Sequence, residues 1–460
     1  MSATDVMVSP AAASLQITSV PVENIATIES LDYEGRGVAH VDGKAIFVAG
    51  ALPREIVTYQ PSRKKKNFET ATLISIKREA AERVTARCKY YEICGGCALQ
   101  HAHYTLQVAA KQRVLEDNLA RIGKVTPETI LPPIYAAQWQ YRHRARLSVN
   151  YVAKKGGVLV GFRERKSSYV ADMHSCEVLA GGVGQMIDGL REVLSTLDIR
   201  DRIPQIEVAV GARVTALVLR LLEPLTPGDE AKLRAFADAH QAERIQWWAQ
   251  TKGPETAVPW YPLDAPELTY GLPEYDLEIN FRPTEFTQVN HAVNRLMVQR
   301  AMQLLDPQAH EQIADLFCGL GNFSLPIARL GAHVIGIEGS ESLTQRASDN
   351  AARNNLTERS TFFPADLYAD QVAAMKRVPK VSKMLIDPPR DGALEVCNLL
   401  SVELRPELKR IVYVSCSPGT LARDAGVLVH KQGFTLKAAG VVNMFPHTAH
   451  VESIALFERA

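Results

Sequence analysis

Gln312-Ile313-Ala314-Asp315-Leu316-Phe317-Cys318-Gly319-Leu320-Gly321-Asn322-Phe323-Ser324 reads as a β-strand that ends in a glycine-bearing turn and hands over to a helix. Gly319 and Gly321 let the backbone turn tightly and approach a ligand at the strand tip. A Gly-x-Gly pair is not the dinucleotide Gly-x-Gly-x-x-Gly, so its surroundings have to decide. Upstream, Phe286-Thr287-Gln288-Val289-Asn290 leads into a helix predicted over 291–305, closed by Asp306-Pro307. Downstream, a strand over 334–338 ends in Glu338, roughly 20 residues on, where an acid can bind ribose hydroxyls. Strands over 361–364 and 383–386 end at Ala365-Asp366 and at Asp387-Pro388-Pro389-Arg390. Ile411-Val412-Tyr413-Val414 then runs into Ser415-Cys416-Ser417-Pro418-Gly419. An apolar run of this kind suits a strand buried on both faces, and its carboxyl end is where open α/β sheets place ligands and catalysts. Most lone cysteines are small hydrophobes. Cys416, fenced by two serines and a proline at a strand tip, is held rigidly and is a candidate nucleophile.

These tips, polar and regularly spaced, resemble the S-adenosylmethionine-dependent methyltransferase fold rather than a dehydrogenase. Composition sets the frame around them. Hydrophobic residues are 46% and charged residues 22% of 460, so the chain is an ordinary globular protein with material for about three domains. A net charge of +1 leaves nucleic-acid binding to local clusters. No apolar run reaches the length of a membrane span. The first residues have no basic region before an apolar one, so a disordered tail over 1–15, no signal peptide and a cytoplasmic monomer are expected.

Residues 16–77 read as a small β barrel, with strands over 24–31, 37–41, 44–48, 55–60 and 69–76 and a hairpin at Asp42-Gly43. The basic run Arg63-Lys64-Lys65-Lys66 falls in the loop before the last strand. Such a loop is usually just solvated, but on a small barrel it is a route to phosphates. With its Gly35-Arg36-Gly37 turn and Gly50-Ala51-Leu52-Pro53-Arg54-Glu55, the segment resembles a TRAM domain, an RNA-binding module.

Cys88, Cys94 and Cys97 follow, with Gly95-Gly96 between the last two; Cys176 is the unclaimed fourth ligand. An odd total of seven cysteines in a large chain argues against a disulfide framework and for metal or catalysis. Four thiolates suit zinc or an iron–sulfur cluster. The three-plus-one layout favours [4Fe–4S] in a structural or substrate-docking role. Cys318 and Cys397 are expected to be packing thiols. A helix over 102–122 stops at Gly123. Arg142, Arg144 and Arg146 alternate on a strand beside Trp139 and Tyr141, which suggests an RNA-facing surface unless the face is merely solvated. A helix over 181–197, a hairpin over 206–221 and a helix over 229–240 complete an α+β middle domain.

Asp387-Pro388-Pro389-Arg390, Ser415-Cys416-Ser417-Pro418 and His450-Val451-Glu452-Ser453 in one chain resemble the RNA uracil-5-methyltransferase family, over residues 15–459. The TRAM-like segment and the four cysteines narrow the likeness to the branch that acts on 23S ribosomal RNA. The resemblance implies Cys416 as nucleophile, Glu452 as base and Asp387 as the group that holds the uracil edge. It implies cofactor contacts at Gln288, Phe317, Asn322, Glu338, Asp366 and Asp387. Cluster ligands would be Cys88, Cys94, Cys97 and Cys176. The expected architecture is α/β, with a Rossmann-like S-adenosylmethionine methyltransferase domain over 283–460. An OB-like TRAM barrel over 16–77 and an α+β iron–sulfur domain over 78–282 precede it. The competing readings are a transfer RNA uracil methyltransferase, an amino-group methyltransferase with the same Asp-Pro-Pro, and a non-catalytic RNA-binding assembly factor. Binding alone needs neither Cys416 nor Glu452. His447 and His450 either pack or help set Glu452.

Overall fold

The structure, a computed structural model, describes residues 24–460. The tail expected over 1–15 lies outside the described residues. The described residues divide into two compact units, one containing residues 24–30 and Gly37–Ala80, the other Leu31–Arg36 with Ala81–Ala460.

The first unit is built on a six-stranded sheet whose longest members are Ile56–Lys64 and Phe68–Arg78. Three register shifts between those two strands bend and twist the sheet. Ala26, Ile28, Ile46, Val48, Val57 and Ala71 fill its core. Asp42 (φ 49°) and Gly43 (φ 76°) make the tight turn that pairs Val41 with Lys44, as the sequence suggested. Buried Glu55 accepts the Leu52 and Ala80 N–H groups at 2.8 and 3.4 Å. Two expectations change. The strand predicted over 24–31 splits into Ile25–Thr27 and Ser30–Leu31. The strand predicted to stop at Gln60 runs to Lys64, so Arg63 and Lys64 end a strand and only Lys65 and Lys66 follow it.

The second unit carries two large sheets. One runs in the order Val258–Tyr261, Ile245–Gln250, Thr215–Arg220, Gln205–Val210, Arg144–Val152, Gly157–Gly161. Helices Ile187–Ser195 and Pro227–Ala239 close its core around fully buried Trp247. The helix predicted over 181–197 is shorter because Gly181 and Gly182 adopt positive φ (62° and 77°) and hold turns instead. The helix predicted over 102–122 is Tyr104–Asn118, continued by a wider turn, Leu119–Gly123. A Cβ on Gly123 would stand 2.4 Å from the Ala422 carbonyl, so only glycine allows this approach.

The other sheet has eight strands, ordered Ser360–Pro364, His333–Glu338, Gln312–Leu316, Lys383–Ile386, Arg410–Ser415, Glu452–Glu458, Thr435–Val442, Thr129–Ile130. The first five are parallel, and Glu452–Glu458 runs antiparallel to both neighbours. Ile411 to Val414 are all fully buried, as a two-faced strand requires. The hairpin Thr269–Leu272/Leu277–Asn280 packs Tyr270, Ile279 and Phe281 into the same core as helix His291–Leu305. No helix among the described residues is long and apolar enough to cross a membrane.

Candidate active site

Strand register assembles the site. Ser415 faces Ser453 across the antiparallel pair, so Cys416 and Glu452, the next residue on each side, lie beside one another. On the other flank, Ile386 pairs with Tyr413, and Asp387 follows at the tip. Asp387 and Cys416 therefore follow, and Glu452 begins, three adjacent strands in the middle of the sheet, all at the same end of it.

Their charges feel one another. Burial, then the Glu452 and Asp387 carboxylates, push the Cys416 thiol up to about 11, while Arg390 pulls the other way. Glu452 is buried and lies well above the ordinary carboxylate range, from burial first and the Asp387 charge second. Burial lifts Asp387 to about 7. Cys416 is half-buried and lies just before helix Pro418–His430, whose N-terminus favours a thiolate. Ser415 and Ser417 brace its backbone: the Ser415 hydroxyl donates to the Ser417 carbonyl and accepts its N–H, both at 3.1 Å.

The segment leading to Glu452 is clamped from outside. Buried Lys111 donates to Asn443 Oδ1 (2.7 Å) and to the Phe445 carbonyl (2.9 Å). Gln107 accepts the His447 N–H at 2.8 Å. The His447 carbonyl accepts N–H groups from Ala98 and Leu99, next to Cys97. His447, at φ 64°, stacks on Trp139 with centroids 4.0 Å apart. Neither Lys111 nor Gln107 carries a local signal in the sequence, because both meet residues more than 300 positions away.

The glycine turn forms as read. Gly319 has φ 53° with nothing within 4 Å of a Cβ position, which leaves its backbone open to a ligand. Phe317 also takes a positive φ (64°), a strained conformation of the kind found at functional sites. Glu338 accepts the Gly319 N–H at 3.2 Å and the Ser340 N–H at 3.1 Å. Asp366 is exposed and accepts the Ala369 and Tyr368 N–H groups, which hold it below the usual carboxylate range. The Phe317 and Tyr368 rings lie 5.7 Å apart. Asn322 pairs amide to amide with Asn294. Gln288 is half-buried two residues before Asn290, which caps helix His291–Leu305.

Cys88, Cys94, Cys97 and Cys176 line one cavity of about 750 Å³ together with Cys416, Arg142 and Arg390. The loop is tightly folded: Gly95 donates to the Arg163 carbonyl (2.8 Å) and Gly96 to Cys94 Sγ (3.4 Å). Burial raises all four thiols, Cys97 to about 11 and Cys176 to about 12. As placed, no three His, Cys, Asp or Glu side chains among the described residues form a group that would close on one metal ion. Of the alternating arginines, only Arg142 lines the cavity. Arg144 donates to the Pro283 carbonyl (2.6 Å) and Arg146 pairs with Glu207 (2.8 Å), so the three do not form one free basic face. Cys318 and Cys397 are buried packing thiols, as expected.

A family model described as tRNA (Uracil-5-)-methyltransferase matches residues 103–460. The chain is 58% identical over 434 residues to the 23S rRNA (uracil(1939)-C(5))-methyltransferase RlmD of Nitrosospira multiformis, covering 94% of this chain and 98% of that protein. It is 55% identical to the protein of the same name from Chromobacterium violaceum, covering 95% and 85%. Among solved structures, the Pyrococcus abyssi tRNA (uracil-54, C5)-methyltransferase in complex with S-adenosyl-L-homocysteine matches with a TM-score of 0.69 at 22% identity. That match covers 94% of this chain and 100% of the other, and is a likeness of fold.

Proposed function

The chain belongs to the tRNA (uracil-5-)-methyltransferase family, and from that premise we propose that it methylates carbon 5 of a uridine in 23S ribosomal RNA. The near-full-length identity to relatives named for position 1939 of that RNA supports this substrate over transfer RNA. The observation that carries the chemistry is the Ser415–Ser453 pairing, which brings the Glu452 carboxylate close enough to Cys416 to act on its thiol.

Carbon 5 of uracil is too weak a nucleophile to take a methyl group unaided. Cys416, once deprotonated, adds to carbon 6 and pushes electrons towards carbon 5, which then attacks the methyl. S-adenosylmethionine, which Gln288, Phe317, Asn322, Glu338, Asp366 and Asp387 would hold, would supply that methyl from its sulfonium and leave as S-adenosylhomocysteine with the electron pair of the broken S–C bond. Glu452 then removes the proton from carbon 5, and Cys416 leaves with the electron pair of the broken S–C bond. A carboxylate pushed above its usual range is the stronger base once ionised, which suits Glu452 to this step. Asp387, near neutrality, hydrogen-bonds the uracil edge. The target base is flipped out of its stack to reach the thiol.

In the same reading, Cys88, Cys94, Cys97 and Cys176 hold a [4Fe–4S] cluster. Zinc takes its sulfurs at about 2.3 Å and so needs them within about 4 Å of one another. The four thiols line one cavity, and their three-plus-one layout along the chain is the support for the larger group. The group's contribution is structural or to RNA docking. The barrel, the cysteine-bearing middle and the methyltransferase part divide near residues 78 and 283.

Incubation with unmodified 23S ribosomal RNA and labelled cofactor, followed by mapping, tests the function. One 5-methyluridine in that RNA is expected; label confined to transfer RNA would favour the other branch.

A further inference from the structure

We propose that Tyr270 and Asn294 are positioning residues that lock the Asn322 amide so that it meets the methyl donor with an N–H and not with its carbonyl. The inference rests on the methyltransferase reading, in which Asn322 touches that ligand.

Tyr270 lies on strand Thr269–Leu272 and is buried; its hydroxyl donates to Asn322 Oδ1 at 3.0 Å. Asn294, in the first turn of helix His291–Leu305, is also buried. Its Nδ2 donates to the same Oδ1 at 2.8 Å, and its Oδ1 accepts from Asn322 Nδ2 at 3.0 Å. An amide carbonyl has two acceptor sites and its NH₂ two donors. Both acceptor sites of Asn322 are therefore filled. One of its two N–H groups is used, and the other has no partner among the described residues.

The orientation is fixed by Tyr270. Asn294 and Asn322 could turn over together and keep their reciprocal pair. Tyr270 would then face an N–H, and its own proton would be stranded in a buried place. The hydroxyl has no other partner among the described residues. A buried polar group left without a partner is costly, so the tyrosine selects one orientation of the amide.

The consequence concerns the ligand. Asn322 follows Gly321 of the glycine turn and is half-buried, and the group it has left to offer a ligand there is a donor, so it would select an acceptor. On the methyl donor the strongest acceptor is the carboxylate of the amino-acid part; an ammonium in that place would be repelled. A nucleoside lacking the amino-acid part would not sense the lock at all.

The test is calorimetric binding of S-adenosylhomocysteine and of 5′-methylthioadenosine, which lacks the amino-acid part, to wild type and Tyr270→Phe. Losing the hydrogen bond is expected to weaken S-adenosylhomocysteine about 3–10-fold and to leave methylthioadenosine within about twofold. KM for the methyl donor rises by the same factor with kcat unchanged. An equal loss for both ligands, as general loosening would give, overturns the proposal, and so does no loss for either. If Tyr270→Phe does not fold, Asn294→Ser is read by the same split. A wild-type protein that binds no S-adenosylhomocysteine would instead refute the methyltransferase reading, before any variant is made.

Discussion

At the residue scale, the proposed mechanism divides the chemistry between Cys416 and Glu452, and each substitution should stop it at a different point. Cys416→Ala is expected to lower methylation by about 10⁴-fold or more, since no other group can activate carbon 5. Glu452→Gln should add the thiol and transfer the methyl but fail to release it. A covalent RNA–protein band that survives denaturation is the readout; free turnover by this variant would remove Glu452 as the base. Asp315 offers a stability test. Its carboxyl is fully buried under the glycine turn, takes a hydrogen bond from Ser324 and is raised to about 7, by burial above all. The unfolded chain titrates it near about 4, so its protonated form is bound more tightly when folded. That stabilisation is complete below about pH 4 and is lost as pH rises through 7. Asp315→Asn should therefore flatten the decline in stability across that window by about 2–4 kcal/mol relative to wild type, seen in denaturant midpoints. Parallel profiles would show that Asp315 does not titrate there.

At the element scale, the geometry depends on a few close approaches. The Cys176 N–H donates to the Gly184 carbonyl at 2.9 Å, and a Cβ on Gly184 would lie 2.0 Å from the Cys176 carbonyl oxygen. Backbone has to move to admit it. Gly184→Ala is expected to destabilise the protein by about 1–3 kcal/mol and, on the proposed cluster reading, to lower iron content after anaerobic purification. Unchanged stability and full iron would mean that the Cys176 segment yields freely. Helix Tyr104–Asn118 shows the same dependence from the polar side. Lys111 is buried and its ammonium is lowered to about 7 by burial, yet it holds the carbonyl and amide of the segment before Glu452. A helix that reads as ordinary amphipathic surface thus braces the segment before Glu452.

At the scale of the whole molecule, the proposed reading gives methyl transfer and RNA capture to different parts of the chain. Arg63, Lys64, Lys65 and Lys66 are all exposed at the end of one strand and the turn after it. Replacing the four with glutamate should weaken RNA binding and reduce the salt dependence of log K by about 2–4. Affinity for S-adenosylhomocysteine should not change. An unaltered salt slope would assign the run to solvent alone.

Much was legible in the sequence because it is written in short range. Gly319 and Gly321 announce a turn, Ile411 to Val414 a two-faced strand, and Asn290 with Leu305 the ends of one helix, since caps, glycines and apolar runs act on neighbouring residues. Those signals also placed Cys416, Asp387, Glu338 and Asp366 at strand tips. The length of the helix after Gly182 was missed because positive φ at two glycines is a choice of the packed chain. The partners of Arg144 and Arg146 were not legible because they come from Pro283 and Glu207, far along the sequence. The sequence by itself determined which elements form and which residues sit at their ends. Only the tertiary structure decided that an antiparallel return strand would set Glu452 beside Cys416, and that Tyr270 and Lys111 would reach across to hold the site, because register and burial arise only when distant segments pack together.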